Sequence, residues 1–590
     1  MKLTLNLGIA QYLNGFLLVS VILIALCLRQ ESVAGRGLVL SFNVAIVGCV
    51  AMFFLFFFIL RVMQIRGRFT LSSTRAFLWL LLASVVLYIP LLYAPVKWQP
   101  EAAWRLTGLI LGVAFFFCCL QVRYTHRQVY SLICAILLAV CVQAVFALQQ
   151  LFIPAWSWAP LYGQRVYGTF FQPNVLASFI ATGVALSLTL LLLPGFALVQ
   201  ARYENWRKWI LASALFIFSL LLVVIQSRAG WLGGIAVVLI FLWRFGKLSI
   251  KRSTLVATAL LLGALMGISL LLFGETAAGT INHEHSNQAR WTMLRDTLAM
   301  IAQKPMLGWG YGGFEYSFQH FRINQIPPTI VTEIARHPHN EILLWVSEGG
   351  AVALVGVLLL AVAGGRVVLQ AWRRDRQAVT TSPSSLAGVA TSLCIALLPI
   401  LIHMQLEYPF YLSILHFVVF LLLFAMADRI GGGVMARRAC SPTCSALVAG
   451  TIVACALAVA VVMGFALKGN LAIAKVERFG MVDIEQLNTL PALSAWVHRE
   501  RVTFDKQVHG LLTYNRTHDE RLLEAYSQWA QQYLMRRIDK NVYASLIVIL
   551  QHQEQHVAAE FYRRDAVRLF PTDIRFQVND AEHRDEGDRQ

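Results

Sequence analysis

The segment best equipped for chemistry is His337-Pro338-His339-Asn340-Glu341, which ends a polar stretch and opens an apolar run long enough to cross a bilayer. Proline and asparagine favour a helix start there, so His339 should stand near a helix N-terminus. Burial and the helix dipole lower an imidazole pKa at such a position and leave a neutral base. Two alternatives remain open: a merely capping histidine, and a metal site that lacks further ligands.

A second candidate is Arg228, at a tight turn between two apolar runs, in Gln226-Ser227-Arg228-Ala229-Gly230-Trp231. A charge at the centre of a membrane helix costs about 2.5 to 3.5 kcal/mol on insertion scales, so ionisable residues in such segments suggest function. A guanidinium at this turn can face an anionic group in the headgroup layer. The alternative is an arginine that snorkels and only marks the interface.

Two weaker candidates also stand where apolar runs begin or end. Gln172 belongs to Phe171-Gln172-Pro173-Asn174, where helix capping explains the amides equally well. Tyr408 belongs to Glu407-Tyr408-Pro409-Phe410-Tyr411, where an interfacial aromatic belt explains the tyrosines equally well. The glycines between Pro305 and Phe314 suggest a tight turn against a neighbouring surface and do not match a nucleotide-binding loop.

These segments must be positioned by a scaffold solvated by lipid. Of 590 residues, 58% are hydrophobic and only 14% are charged, whereas soluble proteins carry about 25% charged residues. Apolar runs near twenty residues recur, and each can cross roughly 30 Å of hydrocarbon as a helix. Barrel strands are half that length and alternate in polarity, so the predicted fold is an all-α polytopic membrane protein. About thirteen spans are predicted, at 8–28, 37–60, 76–94, 106–122, 129–152, 173–198, 209–225, 229–243, 254–273, 340–363, 386–404, 410–427 and 446–466.

The net charge of +18 reflects orientation in the membrane, because the basic residues lie in short loops and do not form a nucleic-acid surface. Alternate loops are rich in arginine and lysine, at 61–75, 123–127, 202–208, 244–252, 366–376 and 429–438. The positive-inside rule makes these loops cytoplasmic, so the candidate residues and the tail should be periplasmic at a bacterial inner membrane. The ten cysteines lie in or near apolar spans, which predicts no structural disulfide.

The predicted organisation has five parts. They are N-terminal spans (1–273), a large periplasmic loop (274–339), C-terminal spans (340–466), a periplasmic helical domain (467–578) and a disordered end (579–590). Helical periodicity in 520–536 and 542–569 is typical of tetratricopeptide-like hairpins. The final residues are charged and poor in apolar side chains, which predicts disorder.

Taken in order, the Ser227–Trp231 turn, Arg290, the Pro305–Phe314 stretch and His337–Ile342 resemble the O-antigen ligase and polymerase superfamily. Within it, the chain is most similar to bacterial protein O-oligosaccharyltransferases of the PglL type. Those proteins carry a Glu-Tyr-Pro-Phe-like loop after the histidine and a helical periplasmic tail. The resemblance covers roughly residues 150 to 570.

This resemblance implies transfer of an oligosaccharide en bloc from undecaprenyl pyrophosphate to Ser or Thr hydroxyls of periplasmic proteins such as pilin, without cofactor or metal. Arg228 and Arg290 suit the task of holding the pyrophosphate charge, and His339 suits removal of the hydroxyl proton. The expected partners are the lipid-linked glycan, the acceptor protein and membrane lipids, and not nucleic acid. The other candidate site residues are Gln172, Tyr408, Asn340 and His337, with the roles of Gln172 and Tyr408 left open.

Three other functions remain as alternatives. The first two use the same chemistry with another acceptor: ligation of O-antigen to the lipid A core, or polymerisation of repeat units. A long helical tail favours a protein acceptor, since a lipid acceptor arrives in the membrane plane and needs no docking domain. A transporter, the distant third, predicts charged or broken helices near the bilayer midplane, whereas the candidate residues here cluster at one interface.

Overall fold

A computed structural model describes residues 37–64, 70–122, 124–274, 279, 284–331, 333–381, 386–439 and 441–577. This part of the chain is mostly helical, and ten of its helices are long and apolar enough to cross a membrane. The predicted all-α polytopic fold is therefore confirmed. The predicted spans 386–404 and 410–427 correspond to shorter helices. The predicted span 8–28 and the predicted disordered end lie outside the described residues.

The first half of the described chain forms α1 (Ser41–Gln64), β1 (Thr70–Thr74), α2 (Arg75–Tyr88), α3 (Gln99–Leu120), α4 (His126–Phe152), α5 (Pro173–Leu192), α6 (Ala201–Ile225), α7 (Arg228–Phe245) and α8 (Ile250–Phe273). The second half continues with α9 (Glu284–Gln303), α10 (Phe314–Asn324), α11 (Glu341–Thr381), α12 (Val389–Ala396), α13 (Leu398–Met404), α14 (Pro409–Leu412), α15 (Ile414–Ile430), β2 (Val434–Ala439) and α16 (Pro442–Arg478). The tail comprises α17 (Glu485–Asn488), α18 (Ala492–Val497), α19 (Arg499–Thr517), α20 (Glu520–Leu534), α21 (Lys540–His552) and α22 (His556–Leu569).

The spans reverse direction one after another, which defines two sides of the membrane. Helices α9 and α10 and the tail lie on one side, here called the tail side, together with the N-terminal ends of α5, α7 and α11. On the opposite side β1 and β2 form an antiparallel pair, with Thr70 opposite Ala439 and Leu71 opposite Arg438. These strands were not predicted, because both segments are short and they lie far apart in the sequence.

Helix α5 is the centre of the membrane part. Every residue from Val175 to Leu192 is buried, and α4, α6, α7, α12 and α13 pack around it. A helix that is apolar on all faces is expected in such an interior position. Two of its threonine hydroxyls are satisfied within the helix, where Thr182 donates to the Ser178 carbonyl at 3.0 Å and Thr189 donates to the Ala185 carbonyl at 2.9 Å. The N-terminus of α5 is consequently held in a fixed position on the tail side.

Helix α11 is broken at Gly350, whose φ of +60° is non-helical. The Pro305–Phe314 stretch fills this break: the Trp309 N–H donates to the Ser347 carbonyl and the Gly310 N–H donates to the Glu348 carbonyl, both at 2.9 Å. A Cβ added at Gly308 would lie 2.5 Å from backbone atoms of Glu348, so no larger residue fits. The predicted tight turn against a neighbouring surface is confirmed.

A buried ion pair joins this break to α3. Arg105 pairs with Glu348, and its guanidinium lies 4.7 Å from the centre of the Trp345 ring. The other oxygen of Glu348 accepts the Phe314 N–H at 3.1 Å. Removing two charges from water costs several kcal/mol each, and the ion pair, the Trp345 ring and the Phe314 N–H together offset this cost. The first two turns of α11 are thereby fixed to α3 and α10.

The tail forms one structural unit with the loop between α8 and α11. Ile323 and Val331 of the loop share an apolar core with Leu546 and Leu569 of the tail. The helical hairpins expected from the periodicity are present, with the second region, 542–569, divided into α21 and α22. The tail is therefore held against the loop by a continuous core.

Arg537, between α20 and α21, fastens this unit to the membrane part. Its guanidinium donates to Glu101 of α3 at 3.0 Å, to Glu315 of α10 at 3.1 Å and to Glu500 of α19 at 3.0 Å. Nearby, the Trp98 indole donates to the Met535 carbonyl at 3.1 Å. One side chain thus connects the tail, the loop and the start of a transmembrane helix.

We expect Arg537→Ala to lower the free energy of unfolding by about 3 kcal/mol, because it removes a counter-charge from buried Glu315. The matched control is Arg564→Ala, which removes an arginine that is 76% exposed and paired with Glu560, and which should cost under about 1 kcal/mol. Thermal unfolding in detergent, followed by intrinsic fluorescence, measures both. Equal shifts for the two variants would show that Arg537 is not a fastening point.

Candidate active site

The centre of the candidate site is Glu407, in the turn between α13 and α14, which is only 3% exposed. Its Oε1 accepts hydrogen bonds from the Arg290 guanidinium of α9 and from the Asn174 amide of α5, both at 2.5 Å. Its Oε2 lies 3.2 Å from Nε2 of His403. Burial raises the pKa of a carboxyl, but His403, Arg290 and His339 outweigh burial and hold the pKa of Glu407 down to about 2. Glu407 is therefore an ionised carboxylate that ties three segments together.

Arg165, in the loop between α4 and α5, extends this cluster. Its guanidinium donates to the Asn174 side chain at 3.0 Å and to the backbone carbonyls of Ile225 and Gln226 at 3.0 and 3.2 Å. It therefore caps the C-terminus of α6 and at the same time orients the amide that binds Glu407. Arg165 was not predicted as a site residue, because a single arginine in a polar loop carries no distinctive pattern.

Arg228 is the first residue of α7 and follows the N-cap Ser227. Among the described residues it has no hydrogen-bond or ion-pair partner, although it lies within electrostatic range of Arg290 and Glu407. With Arg165 and Arg290 it forms the arginine cluster, in which three cations face one carboxylate. Such an excess of positive charge is suited to a ligand with several negative charges.

His339 lies beside the arginine cluster. Its pKa is lowered to about 4, mainly by burial; the Glu407 carboxylate opposes this shift, and the charges of Arg290 and His337 add to it. The imidazole is consequently neutral at pH 7, in the direction expected from its position. Its Nδ1 is buried and has no hydrogen-bond partner among the described residues. A neutral imidazole with a nitrogen that is not engaged elsewhere is suited to accept a proton.

The Tyr408 ring contacts both histidines, with ring centres 4.5 Å from His337 and 5.4 Å from His339. His337 is 2% exposed, and its Nε2 faces the Glu341 carboxylate at 3.3 Å. The other Glu341 oxygen accepts hydrogen bonds from Tyr411 and Trp345. His337 therefore belongs to a buried group that is held together by Glu341. Within the described residues, no group of three or more His, Cys, Asp or Glu side chains has the arrangement of a metal site.

Asn340 and Gln172 stand at helix N-termini but differ in their contacts. The Asn340 side chain caps α11 by accepting the Leu343 N–H at 3.0 Å, and it donates to the Gln405 carbonyl at 3.2 Å. The cap of α11 is thus Asn340 and not His339. Gln172 occupies the N-cap position of α5 but makes no capping hydrogen bond with its side chain, so capping does not explain it. It lies two residues before Asn174, which contacts Glu407.

Three residues with left-handed backbone precede the helices that meet at the site. Phe171, Gln226 and His339 have φ of 55°, 54° and 53°, and each directly precedes the N-cap residue of α5, α7 or α11. This conformation costs a residue other than glycine about 1 kcal/mol or more. The resulting chain reversals bring three helix N-termini to the tail side, and a helix N-terminus attracts anions.

Two family models match the chain. Residues 213–358 match the family described as O-antigen ligase, and residues 392–584 match the family described as virulence factor membrane-bound polymerase, C-terminal. No curated protein sequence matches significantly. The two matches support the O-antigen ligase superfamily and a glycosyl-transfer function at a membrane, with a lipid-linked oligosaccharide as donor.

The matched segments divide the site residues between them. Arg228, Arg290 and His339 lie in the first segment, and Glu407 and Tyr408 lie in the second. The hydrogen bond from Arg290 to Glu407 therefore joins the two segments. Arg165 and Gln172 lie outside both.

We expect Arg228→Lys to weaken binding of farnesyl pyrophosphate by about tenfold or more, because an ammonium cannot make two parallel bonds to phosphate oxygens. The matched control is Arg295→Lys, on the same helix as Arg290 but 63% exposed and paired with Asp296. Calorimetric titration of the detergent-solubilised protein measures both affinities. Unchanged affinity in Arg228→Lys would assign this side chain to the membrane interface alone.

Proposed function

We propose that the protein transfers an oligosaccharide en bloc from undecaprenyl pyrophosphate to Ser or Thr hydroxyls of periplasmic proteins such as pilin. It would thus be a protein O-oligosaccharyltransferase of the PglL type. The observation that carries the proposal is the arginine cluster beside neutral His339, where three helix N-termini meet. The arginine-rich loops lie on the opposite side of the membrane, which supports a periplasmic site at an inner membrane.

The arginine cluster supplies what departure of the donor lipid requires. The bond from the anomeric carbon to the phosphate oxygen breaks, and the pyrophosphate leaves with an additional negative charge. Arg228 and Arg290 hold this charge with fixed donors, and the N-termini of α5 and α7 add their dipoles. Since Glu407 offsets only one cation of the cluster, the site keeps a net positive charge for the ligand.

His339 acts on the other reactant. The acceptor hydroxyl oxygen bonds to the anomeric carbon, and its proton passes to the neutral imidazole. The site lies at the junction of the loop and α11, where a donor held in the membrane and a soluble acceptor can meet. Tyr408, packed edge-on against His339, limits the orientations of the ring.

The tail supports a protein as the acceptor. It consists of helical hairpins packed on the loop that leads to His339, so a protein bound to the tail would be close to the site. Two other acceptors are favoured by the descriptions of the matched families, which name a ligase and a polymerase. These acceptors are the lipid A core and the growing glycan.

The three acceptors can be compared with one purified preparation and one defined lipid-linked donor. We expect a folded pilin to gain the mass of one oligosaccharide per modified site in intact-mass spectra. Lipid A core and a second lipid-linked glycan, analysed by the same method in parallel, should remain unchanged. Transfer to lipid A core, or glycan lengthening without a protein product, would replace the proposed acceptor by the corresponding alternative.

We expect His339→Ala to bind the donor normally and to lose about 10²-fold or more in transfer rate, as is typical for loss of a general base. The matched control is His337→Ala, two residues away and directed at Glu341, which should retain far more activity. Donor binding and single-turnover transfer are measured separately on both variants. A near-normal rate in His339→Ala would require a different base.

A further inference from the structure

Glu407 has no assigned part in this transfer, yet it binds Arg290, a cation that holds the donor, and the ring of its neighbour Tyr408 packs against His339, the residue that takes the proton. One oxygen is shared by Arg290 and Asn174, and the other faces His403. The charged groups that act on His339 are Glu407, Arg290 and His337. Glu407 and Arg290 act in opposite senses on His339: the carboxylate favours an imidazolium and the guanidinium opposes it.

Binding of an anion changes this balance. A pyrophosphate competes with Glu407 for the guanidinium of Arg290, because phosphate oxygens are strong acceptors for arginine. The negative charges of the ligand also offset the positive charges of Arg165 and Arg228, the other two members of the arginine cluster. The carboxylate of Glu407 is then less neutralised, and a cation at His339 becomes more favourable.

The surroundings of Glu407 hold its carboxylate in place when Arg290 turns towards the ligand. Behind it, Nδ1 of His403 lies 2.8 Å from the Ser178 hydroxyl, which lies 3.2 Å from Nε2 of His416. These three side chains are fully buried. Asn174, itself held by Arg165, fixes the other oxygen. The carboxylate therefore stays in place while its guanidinium partner turns to the ligand.

We propose that Glu407 is a positioning residue that couples donor binding to proton transfer: pyrophosphate engages Arg290, and Glu407 then stabilises the imidazolium formed at His339. The hydroxyl proton moves to His339, and Glu407 remains ionised throughout. The inference rests on the proposed function, since it requires a pyrophosphate donor. Its consequence is that His339 is a poor proton acceptor until the donor is bound.

The test follows the protonation of His339 directly. Diethyl pyrocarbonate acylates neutral imidazole, so its rate of reaction with His339, read by peptide mass spectrometry, reports the neutral fraction. We expect this rate to be flat from about pH 5.5 to about pH 8 in the free protein. With farnesyl pyrophosphate bound, the rate should fall towards acid with a midpoint between about pH 5.5 and 7. Simple shielding by the ligand would lower the rate equally at every pH and would contradict the proposal.

Three variants sharpen this measurement. In Glu407→Gln, the reaction rate of His339 with diethyl pyrocarbonate should show no midpoint when farnesyl pyrophosphate is bound. Arg290→Gln should produce a midpoint without any ligand, because Glu407 then lacks its counter-charge. The matched control is Glu333→Gln, an exposed carboxylate of the loop that carries His339, and it should behave like the unmodified protein. If Glu407→Gln does not fold, the unmodified protein and Arg290→Gln still test the coupling.

The outcome is separable from that of the acceptor comparison. A midpoint that appears with farnesyl pyrophosphate, together with transfer only to lipid A core, would uphold the coupling and overturn the proposed acceptor. Transfer to pilin would uphold the proposed function. If the reaction of His339 with diethyl pyrocarbonate is at the same time independent of pH both with and without farnesyl pyrophosphate, the coupling is overturned.

Discussion

The site depends on the attraction between one buried carboxylate, Glu407, and cations from separate parts of the chain. Arg165, Arg228 and Arg290 would repel one another if they were gathered without a counter-charge, and Glu407 supplies that charge. Burying an ion costs several kcal/mol, which only a full set of partners offsets. Arg290, Asn174 and His403 form this set. Glu407 therefore stabilises a cluster whose three arginines provide the affinity for anions.

The rest of the fold holds these partners in position. The fully buried α5 fixes Asn174, and the clamp between the Pro305–Phe314 stretch and the break in α11 fixes the segment that begins at His339. The common core of loop and tail, fastened by Arg537, holds the loop that leads into this segment. Because each of these elements is anchored by packing that is independent of the site, the three strained residues before the helices are maintained.

Hydropathy was sufficient to predict the fold class and most spans, since lipid forces backbone groups to be satisfied within helices. Arg228, Arg290 and His339 could be selected because their types stand out where apolar runs begin or within an ordered motif. Arg165, His403 and the bonding of Glu407 could not be predicted, because their significance arises only from neighbours distant in sequence. The same holds for the β1–β2 pair and for the contact of His337 with Tyr408.

The break at Gly350 divides α11 into a short segment that carries the site and a longer one that crosses the membrane. Membrane helices adapt to thinner or thicker hydrocarbon by tilting, at modest cost for each ångström of mismatch. Here the short segment is bound to α3 through Arg105 and to the loop through Trp309 and Gly310. The long segment is bound to the same stretch of the loop where it begins, because the Ala351 N–H donates to the Pro305 and Met306 carbonyls at 2.8 and 3.0 Å. Both sides of the break are thus held by protein, and we expect these contacts, not the thickness of the bilayer, to set the distance between His339 and the arginines.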